Sequence, residues 1–111
     1  MKKYGKSKEN QTISERLYWY HVDLTKLACA EYFREPVDVQ KFYCFNYYDV
    51  IKNPMDLNKM KDKMLEGAYK SIFEYKQDFE LLISNCKLYN PLPDNKVRKE
   101  GIKFEDRFNS R

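Results

Sequence analysis

Side chains that could perform catalysis are few in this sequence, and their spacing does not bring them together. His21 is the only histidine and falls in a helical pattern between Tyr20 and Val22, where we expect a solvated or capping role rather than that of a general base. The sequence contains no cluster of metal ligands, no glycine-rich phosphate loop and no nucleophile elbow. We therefore expect no enzymatic activity, no metal and no organic cofactor.

The cysteines predict neither a disulfide framework nor a zinc site. Cys29, Cys44 and Cys86 are odd in number, widely spaced and without a Cys-x-x-Cys pair. No apolar run approaches the roughly 20 residues of a membrane span, and no signal-peptide pattern opens the chain. These features favour a soluble protein of a reducing, intracellular compartment, with no membrane partner.

Ligand binding is better supported than catalysis by the aromatic stretch "NYYDVIKNPMDL" at 46–57. Rings with a polar end suit half-wet pockets, and the candidates for polar anchoring are Asn90 and the hydroxyls of Tyr47, Tyr48 and Tyr89. The pattern alone favours a helix cap for Asn90, because a proline follows it, and core packing for the tyrosines. A pocket for a slender, mostly apolar ligand stays open as the alternative.

Four helical patterns must position these groups. In chain order they run from "TISE" at 12–15 to about 33, from Asp56 to Gly67, from Ser71 to Asn90 and from Val97 to Phe108. The first and third open with the spacing of a capping box, and Asp56 is a good cap for the second. The predicted buried faces comprise Ile13, Leu17, Tyr20, Leu24, Leu27, Ala28, Leu57, Met60, Met64, Ile72, Tyr75, Phe79, Leu82, Ile83, Cys86, Tyr89, Val97, Gly101, Phe104 and Phe108.

The long connection between the first two helices, from about Arg34 to Met55, exceeds twenty residues, whereas connections in bundles usually take about 2 to 8. Its apolar content is too high for a disordered segment, so we expect it to fold onto the bundle. The apolar residues concerned are Val37, Val39, Phe42, Tyr43, Phe45, Tyr47, Tyr48, Val50 and Ile51.

Length and charge predict one domain with a basic tail. The 111 residues suffice for a single hydrophobic core, which we place at 13–109. Much of the net charge of +4 comes from Lys2, Lys3, Lys6 and Lys8, so we expect residues 1–12 to be a flexible linker that contacts DNA only weakly. A dedicated nucleic-acid binder would more often gather its cations on one folded element.

Several segments in the correct order resemble a bromodomain over roughly residues 14 to 109. They are "YFREPVD" at 32–38, "YYDVIKNPMDL" at 47–57, "YKSIFEYKQDFELLISNCKLYN" at 69–90 and the spacing of Val97, Phe104 and Phe108. The resemblance implies an all-α fold, an antiparallel, left-handed four-helix bundle whose long connection and whose short loop after the third helix form a pocket at one end. It further implies recognition of acetylated lysine.

The resemblance also implies a role for particular residues. Asn90 resembles the asparagine that hydrogen-bonds the acetyl carbonyl, and Tyr47 resembles the tyrosine that reaches the same carbonyl through a water. Phe33 corresponds to the floor of the channel, and Val97 resembles the residue that guards its entrance. The implied channel lining consists of Val37, Phe42, Cys44, Cys86 and Tyr89.

Acetylation removes the charge of lysine, which gives a physical reason for selectivity. We expect an unmodified ammonium to lose several kcal/mol on leaving water for a ring-lined channel without a dedicated carboxylate. A methyl-lysine reader is the nearest competitor, because aromatic rings can also enclose a cation. The amide of Asn90 presents donors, which suit a carbonyl better than a cation.

The chain departs from the usual pattern of the family at three places. Residues 31–33 are Glu-Tyr-Phe where many bromodomains have Trp-Pro-Phe, so the shelf beside the entrance becomes acidic and peptide preference is expected to shift. Phe45 and Asn46 replace the Pro-Asp that often precedes the paired tyrosines. Phe42 is bulkier than the usual leucine, which predicts a narrower or reshaped channel.

The sequence therefore predicts a monomeric, nuclear acetyl-lysine reader that binds acetylated histone tails and forms a module of a larger chromatin protein. The alternative is a divergent bromodomain-like interaction module with weak or no acetyl-lysine binding.

Overall fold

The computed structural model describes residues 13 to 110, and every regular element in that range is helical. The elements are α1 (Ile13–Thr25), a 3-10 segment (Ala28–Phe33), α2 (Tyr47–Val50), α3 (Leu57–Leu65), α4 (Ile72–Tyr89) and α5 (Lys96–Asn109). Helices α1, α3, α4 and α5 form the predicted four-helix bundle, and α2 is a single turn within the long connection. The predicted basic tail and the first residue of the "TISE" box lie outside the described residues. None of the described helices is long and apolar enough to cross a membrane.

The first helix differs from the prediction, because α1 ends at Thr25 and the chain continues as a separate 3-10 segment. Leu27 is extended, with φ −65° and ψ 142°, and thereby breaks the α-helix. Arg34 stabilises the break: its Nε donates to the Thr25 carbonyl at 2.8 Å and its Nη2 to the Leu27 carbonyl at 3.0 Å. The register changes as a result, so that the predicted core residue Ala28 is exposed. The buried residues of the 3-10 segment are Cys29, Ala30 and Phe33.

The starts of α3, α4 and α5 are set by side-chain caps. The Asp56 carboxylate accepts from the Lys59 N–H at 2.8 Å, and the Ser71 side chain accepts from the Glu74 N–H at 3.3 Å. Both predicted caps are thereby confirmed. Asn95 caps α5 in the same way, although its sequence position did not single it out.

Close packing of α5 against α4 and the 3-10 segment builds the core. Phe79 and Phe108 stack with their ring centroids 3.8 Å apart, and Phe33 and Phe104 stack at 5.7 Å. The predicted core residues that are buried are Leu17, Leu24, Leu57, Met60, Met64, Tyr75, Phe79, Leu82, Ile83, Cys86, Gly101, Phe104 and Phe108. Ile72 was also expected there, but it is 54% exposed because it is the first residue of α4 at the end of the bundle.

His21 is fully buried, so the expectation of a solvated or capping residue was wrong. Its Nε2 donates to the Leu57 carbonyl at 2.8 Å, which leaves Nδ1 to accept from the Tyr75 hydroxyl at 2.8 Å. The ring therefore connects α1 to the starts of α3 and α4. Burial lowers the pKa of His21, and the nearby Lys61 charge lowers it further.

The long connection folds against the bundle through few of its apolar residues. Of the nine expected to cover the core, only Tyr47 and Ile51 are buried, whereas Tyr43 is 83% and Phe45 65% exposed. The segment is instead ordered by its own hydrogen bonds. Asp38 accepts from two backbone N–H groups that follow it, and the Tyr48 hydroxyl donates to the Val37 carbonyl at 2.8 Å.

Candidate binding site

A cavity of about 270 Å³ lies where the long connection meets the end of α4 and the start of α5. The structure brings all nine predicted site residues to this cavity: Phe33, Val37, Phe42, Cys44, Tyr47, Cys86, Tyr89, Asn90 and Val97. Sequence reasoning missed five further lining residues, which are Tyr32, Glu35, Met55, Leu82 and Asn95. The helical spacing of Leu82 and Cys86 could have identified Leu82, because residues four apart share a helix face.

Helix α5 approaches the floor of the cavity at Gly101. A Cβ at this position would lie 2.7 Å from Cys86 Sγ and 3.5 Å from Phe33 Cζ. The first distance is shorter than the contacts that Cβ atoms make in proteins. The Cys86 thiol also contacts the Val97 carbonyl at 3.6 Å. Because Gly101 has no side chain, α5 can pack closely against the lining residues Cys86 and Phe33.

Asn90 serves as the end of α4 and as part of the cavity wall at once. Its Nδ2 donates to the Cys86 carbonyl at 2.9 Å, and its backbone N–H donates to the same oxygen at 3.0 Å. Arg98 Nη1 donates to the Asn90 carbonyl at 3.1 Å, which fixes the backbone of the short loop. The predicted capping role is confirmed. The amide has a second N–H, and this is the group from which a ligand carbonyl would accept.

Tyr47 is a buried ring with an available hydroxyl. Its ring packs edge-to-face on Tyr48 and Tyr89, with centroids 5.1 and 4.8 Å away. Burial raises the pKa of Tyr47 to about 12, so the hydroxyl is a neutral donor at physiological pH. It forms no hydrogen bond with any of the described residues, and a small polar ligand or a water can therefore bind to it.

Two hydrogen bonds link α4 to the long connection beside the cavity. The Tyr89 hydroxyl donates to the side-chain oxygen of Asn46, which joins the end of α4 to the long connection. The Asn85 side chain donates to the Asn53 carbonyl at 2.8 Å and makes a second such link. Asn46, a departure from the usual family pattern, thus has a structural role here.

The two cysteines of the cavity act as apolar lining. Burial raises the pKa of Cys44, and it raises the pKa of Cys86 to about 11. Both side chains are therefore thiols at neutral pH and carry no charge into the cavity. All three cysteines of the described chain are free, as the sequence predicted.

The mouth of the cavity contains the one charged side chain of the lining, Glu35. The lining therefore includes a carboxylate, which the expectation of a channel without a dedicated carboxylate did not foresee. Phe42 is 47% exposed at the same rim, where it packs edge-to-face on Tyr32 with centroids 6.2 Å apart.

Comparison with known proteins identifies the class. The family model described as Bromodomain matches residues 13–101, and the chain belongs to this family. Bromodomains are reader modules for acetylated lysine, and this is the general class of function of the chain.

Two relatives illustrate the match. The chain is 43% identical over 79 residues to the bromodomain-containing protein bet-1 of Caenorhabditis elegans. The aligned region covers 71% of this chain but only 9% of that protein. The second bromodomain of Candida albicans Bdf1, solved with a bound imidazopyridine, superposes with a TM-score of 0.79 at 25% identity and covers 87% of this chain and 93% of that one. The chain therefore corresponds to a small part of the larger relative.

Proposed function

We propose that this bromodomain binds acetylated lysine of histone tails in the cavity between the long connection and the short loop, as a monomeric module of a larger nuclear chromatin protein. One observation carries the proposal: the Asn90 amide and the Tyr47 hydroxyl are polar donors on a cavity whose other walls are mainly apolar. An acetylated lysine has the matching chemistry, with four methylenes, a methyl group and one carbonyl acceptor.

The free energies are consistent with a weak, reversible reader. Burial of about 150 Å² of apolar ligand surface contributes roughly 4 kcal/mol at about 25 cal/mol per Å². A hydrogen bond from Asn90 to the acetyl carbonyl adds about 1 kcal/mol net, and Tyr47 contributes through a bridging water. After the cost of ordering the peptide, we expect a Kd between ~10 and several hundred micromolar.

The test is a calorimetric titration with a histone-tail peptide in its acetylated and unacetylated forms, repeated with Asn90→Ala. The variant should abolish measurable acetyl-peptide binding, because the buried acetyl carbonyl is left without a donor at a cost of about 1 to 3 kcal/mol on an already weak affinity. Its thermal midpoint should fall by only a few degrees, because the lost bond to the Cys86 carbonyl is worth about 1 kcal/mol. Asn109→Ala, at an exposed position at the end of α5, is the matched control and should bind like the parent.

Equal binding of the two peptides by the parent would contradict acetyl-lysine reading. It would leave the divergent interaction module as the better description. Survival of binding in Asn90→Ala would instead show that another group holds the acetyl carbonyl.

Glu35 favours a second candidate, a methyl-lysine reader, because a carboxylate beside aromatic rings can bind a methylated ammonium. The position of Asn90 opposes it, since the amide N–H would point its positive end at the cation. A trimethylated version of the same peptide, titrated in parallel, separates the two candidates. Binding of that peptide with an affinity above that of the acetylated one would favour methyl-lysine reading.

A further inference from the structure

Glu35 is a carboxylate for which the described chain supplies no partner. It forms neither a hydrogen bond nor an ion pair with any of the described residues. It is also the sole charged member of the cavity lining, and no cationic side chain lines that cavity. An exposed negative charge at the mouth of a peptide-binding cavity is available to the ligand.

None of the neighbouring cations forms an ion pair with Glu35. Arg34, the adjacent residue, binds the carbonyls of Thr25 and Leu27 at 2.8 and 3.0 Å and so faces the end of α1. Lys26 and Lys61 lie with Glu35 along a groove between α1 and α3, but neither comes within ion-pair distance of it. Glu35 thus lines both the cavity and this groove, and its carboxylate forms no ion pair with any of the described residues.

From this arrangement we infer that Glu35 determines specificity by pairing with an unmodified lysine or arginine close to the acetylated lysine in the bound peptide. The inference rests on the proposed function, since the acetylated side chain anchors the peptide in the cavity. The neighbouring residue then lies at the mouth, where its cation meets the carboxylate. An acetyl-lysine with a cationic neighbour is thereby preferred over one with a neutral or acetylated neighbour.

The rings at the mouth suit such a side chain. Tyr32 and Phe42 lie edge-to-face beside the cavity and provide apolar surface for the methylene stem of lysine or arginine. Lys41 Nζ already lies 5.4 Å from the centroid of the Phe42 ring, so this ring accepts an ammonium group. Lys41 competes for one ring but forms no ion pair with Glu35.

The size of the effect follows from exposure. Ion pairs between exposed side chains are weak, and a pair at this rim should change the affinity by about two- to fivefold. The preference should also decrease as salt rises from ~0.05 M to ~0.5 M, because the screening length shortens. The acetyl-lysine contacts themselves should be nearly independent of salt.

The experiment uses a neutral Gly/Ser peptide with one acetyl-lysine and a single arginine at each of about four positions on either side. With the parent protein, one or two arginine positions should increase the affinity by about two- to fivefold over the arginine-free peptide. Glu35→Gln should remove this gain, so that the variant binds the arginine-containing and the arginine-free acetylated peptides with equal affinity. Glu35→Lys should make a glutamate at the same peptide position favourable.

Glu80→Gln is the matched control, because Glu80 is exposed on α4, does not line the cavity and undergoes the same change of charge. It should retain the gain. The same loss in both variants would show a general effect of net charge, and a uniform response at every arginine position would overturn the inference as well. Failure of the proposed function would give a different result from failure of this inference: the arginine-free acetylated peptide would then bind no better than its unacetylated form.

Discussion

Tyr47 and Asn90 present two donors to the cavity whose expected contributions to binding differ. Asn90 donates directly to the acetyl carbonyl in our proposal, whereas the Tyr47 hydroxyl acts through a water. Tyr47→Phe keeps the ring and its edge-to-face packing on Tyr89 but removes the hydroxyl. We expect it to weaken acetyl-peptide binding by about three- to tenfold, less than Asn90→Ala does, in a fluorescence-polarisation titration. Equal losses from the two changes would contradict this ranking.

The sequence located the cavity residues well because they lie in motifs with fixed order and spacing. All nine predicted residues line the cavity. Glu35 was missed although it lies between the predicted lining residues Phe33 and Val37, because the irregular segment after the 3-10 helix has no periodicity that indicates which side chains face the cavity. The burial of His21 was predictable in principle, since it lies four residues after Leu17 and three before Leu24, on the face already assigned to the core.

At the scale of elements, the burial of His21 between α1, α3 and α4 makes stability depend on pH. Its pKa is lowered in the folded protein, so below the unfolded pKa of about 6.5 the unfolded state binds the proton more readily. We expect the contribution of His21 to the free energy of unfolding to be constant above that pH. Below it, this contribution should fall as pH decreases, by at most about 1.4 kcal/mol per pH unit.

Urea unfolding between about pH 8 and pH 5 measures the effect. His21→Gln removes the titrating group, so the variant should be less stable at pH 8 but should lack the additional loss in this pH range. An identical pH dependence in parent and variant would assign the loss to other groups.

The packing of α5 against α4 gives a second prediction at this scale. Gly101→Ala increases helix propensity by about 1 kcal/mol, but its Cβ would meet Cys86 Sγ at 2.7 Å. Overpacking costs about 1 to 3 kcal/mol, so we expect net destabilisation of up to about 2 kcal/mol in urea. Acetyl-peptide affinity should also fall, because Cys86 and Phe33 line the cavity. Lys99→Ala, at an exposed position on the same helix, should change neither quantity.

Periodicity located the four helices but not the interruption of the first. The apolar spacing continues past Thr25, but the α-helix ends there because Leu27 is extended. Arg34, nine residues after Thr25, stabilises this break by donating to the Thr25 carbonyl. Likewise, the apolar content of the long connection predicted burial, whereas hydrogen bonds such as Tyr48 to the Val37 carbonyl order it with most rings exposed. The hydrophobic pattern therefore identifies the segments that are ordered, but it does not identify the hydrogen bonds that order them.

At the scale of the whole molecule, the two ends of the bundle should act independently. The cavity lies at the end of α4 and the start of α5, whereas the start of α1 lies beside the opposite ends of these helices, where Tyr20 packs on Tyr75 and Phe108. The basic residues 1–8 precede α1 in the sequence, and we expect them to make no contact with a ligand bound in the cavity.

Replacing Lys2, Lys3, Lys6 and Lys8 by glutamine tests this separation. We expect acetyl-peptide affinity to stay within about twofold of the parent, because direct contacts and not net charge dominate binding in a cavity with one charged lining residue. Binding to duplex DNA at low salt should weaken, and the slope of log affinity against log salt should decrease by about 0.9 for each lysine that contacts a phosphate. A parallel loss of acetyl-peptide binding would show that the first residues reach the cavity after all.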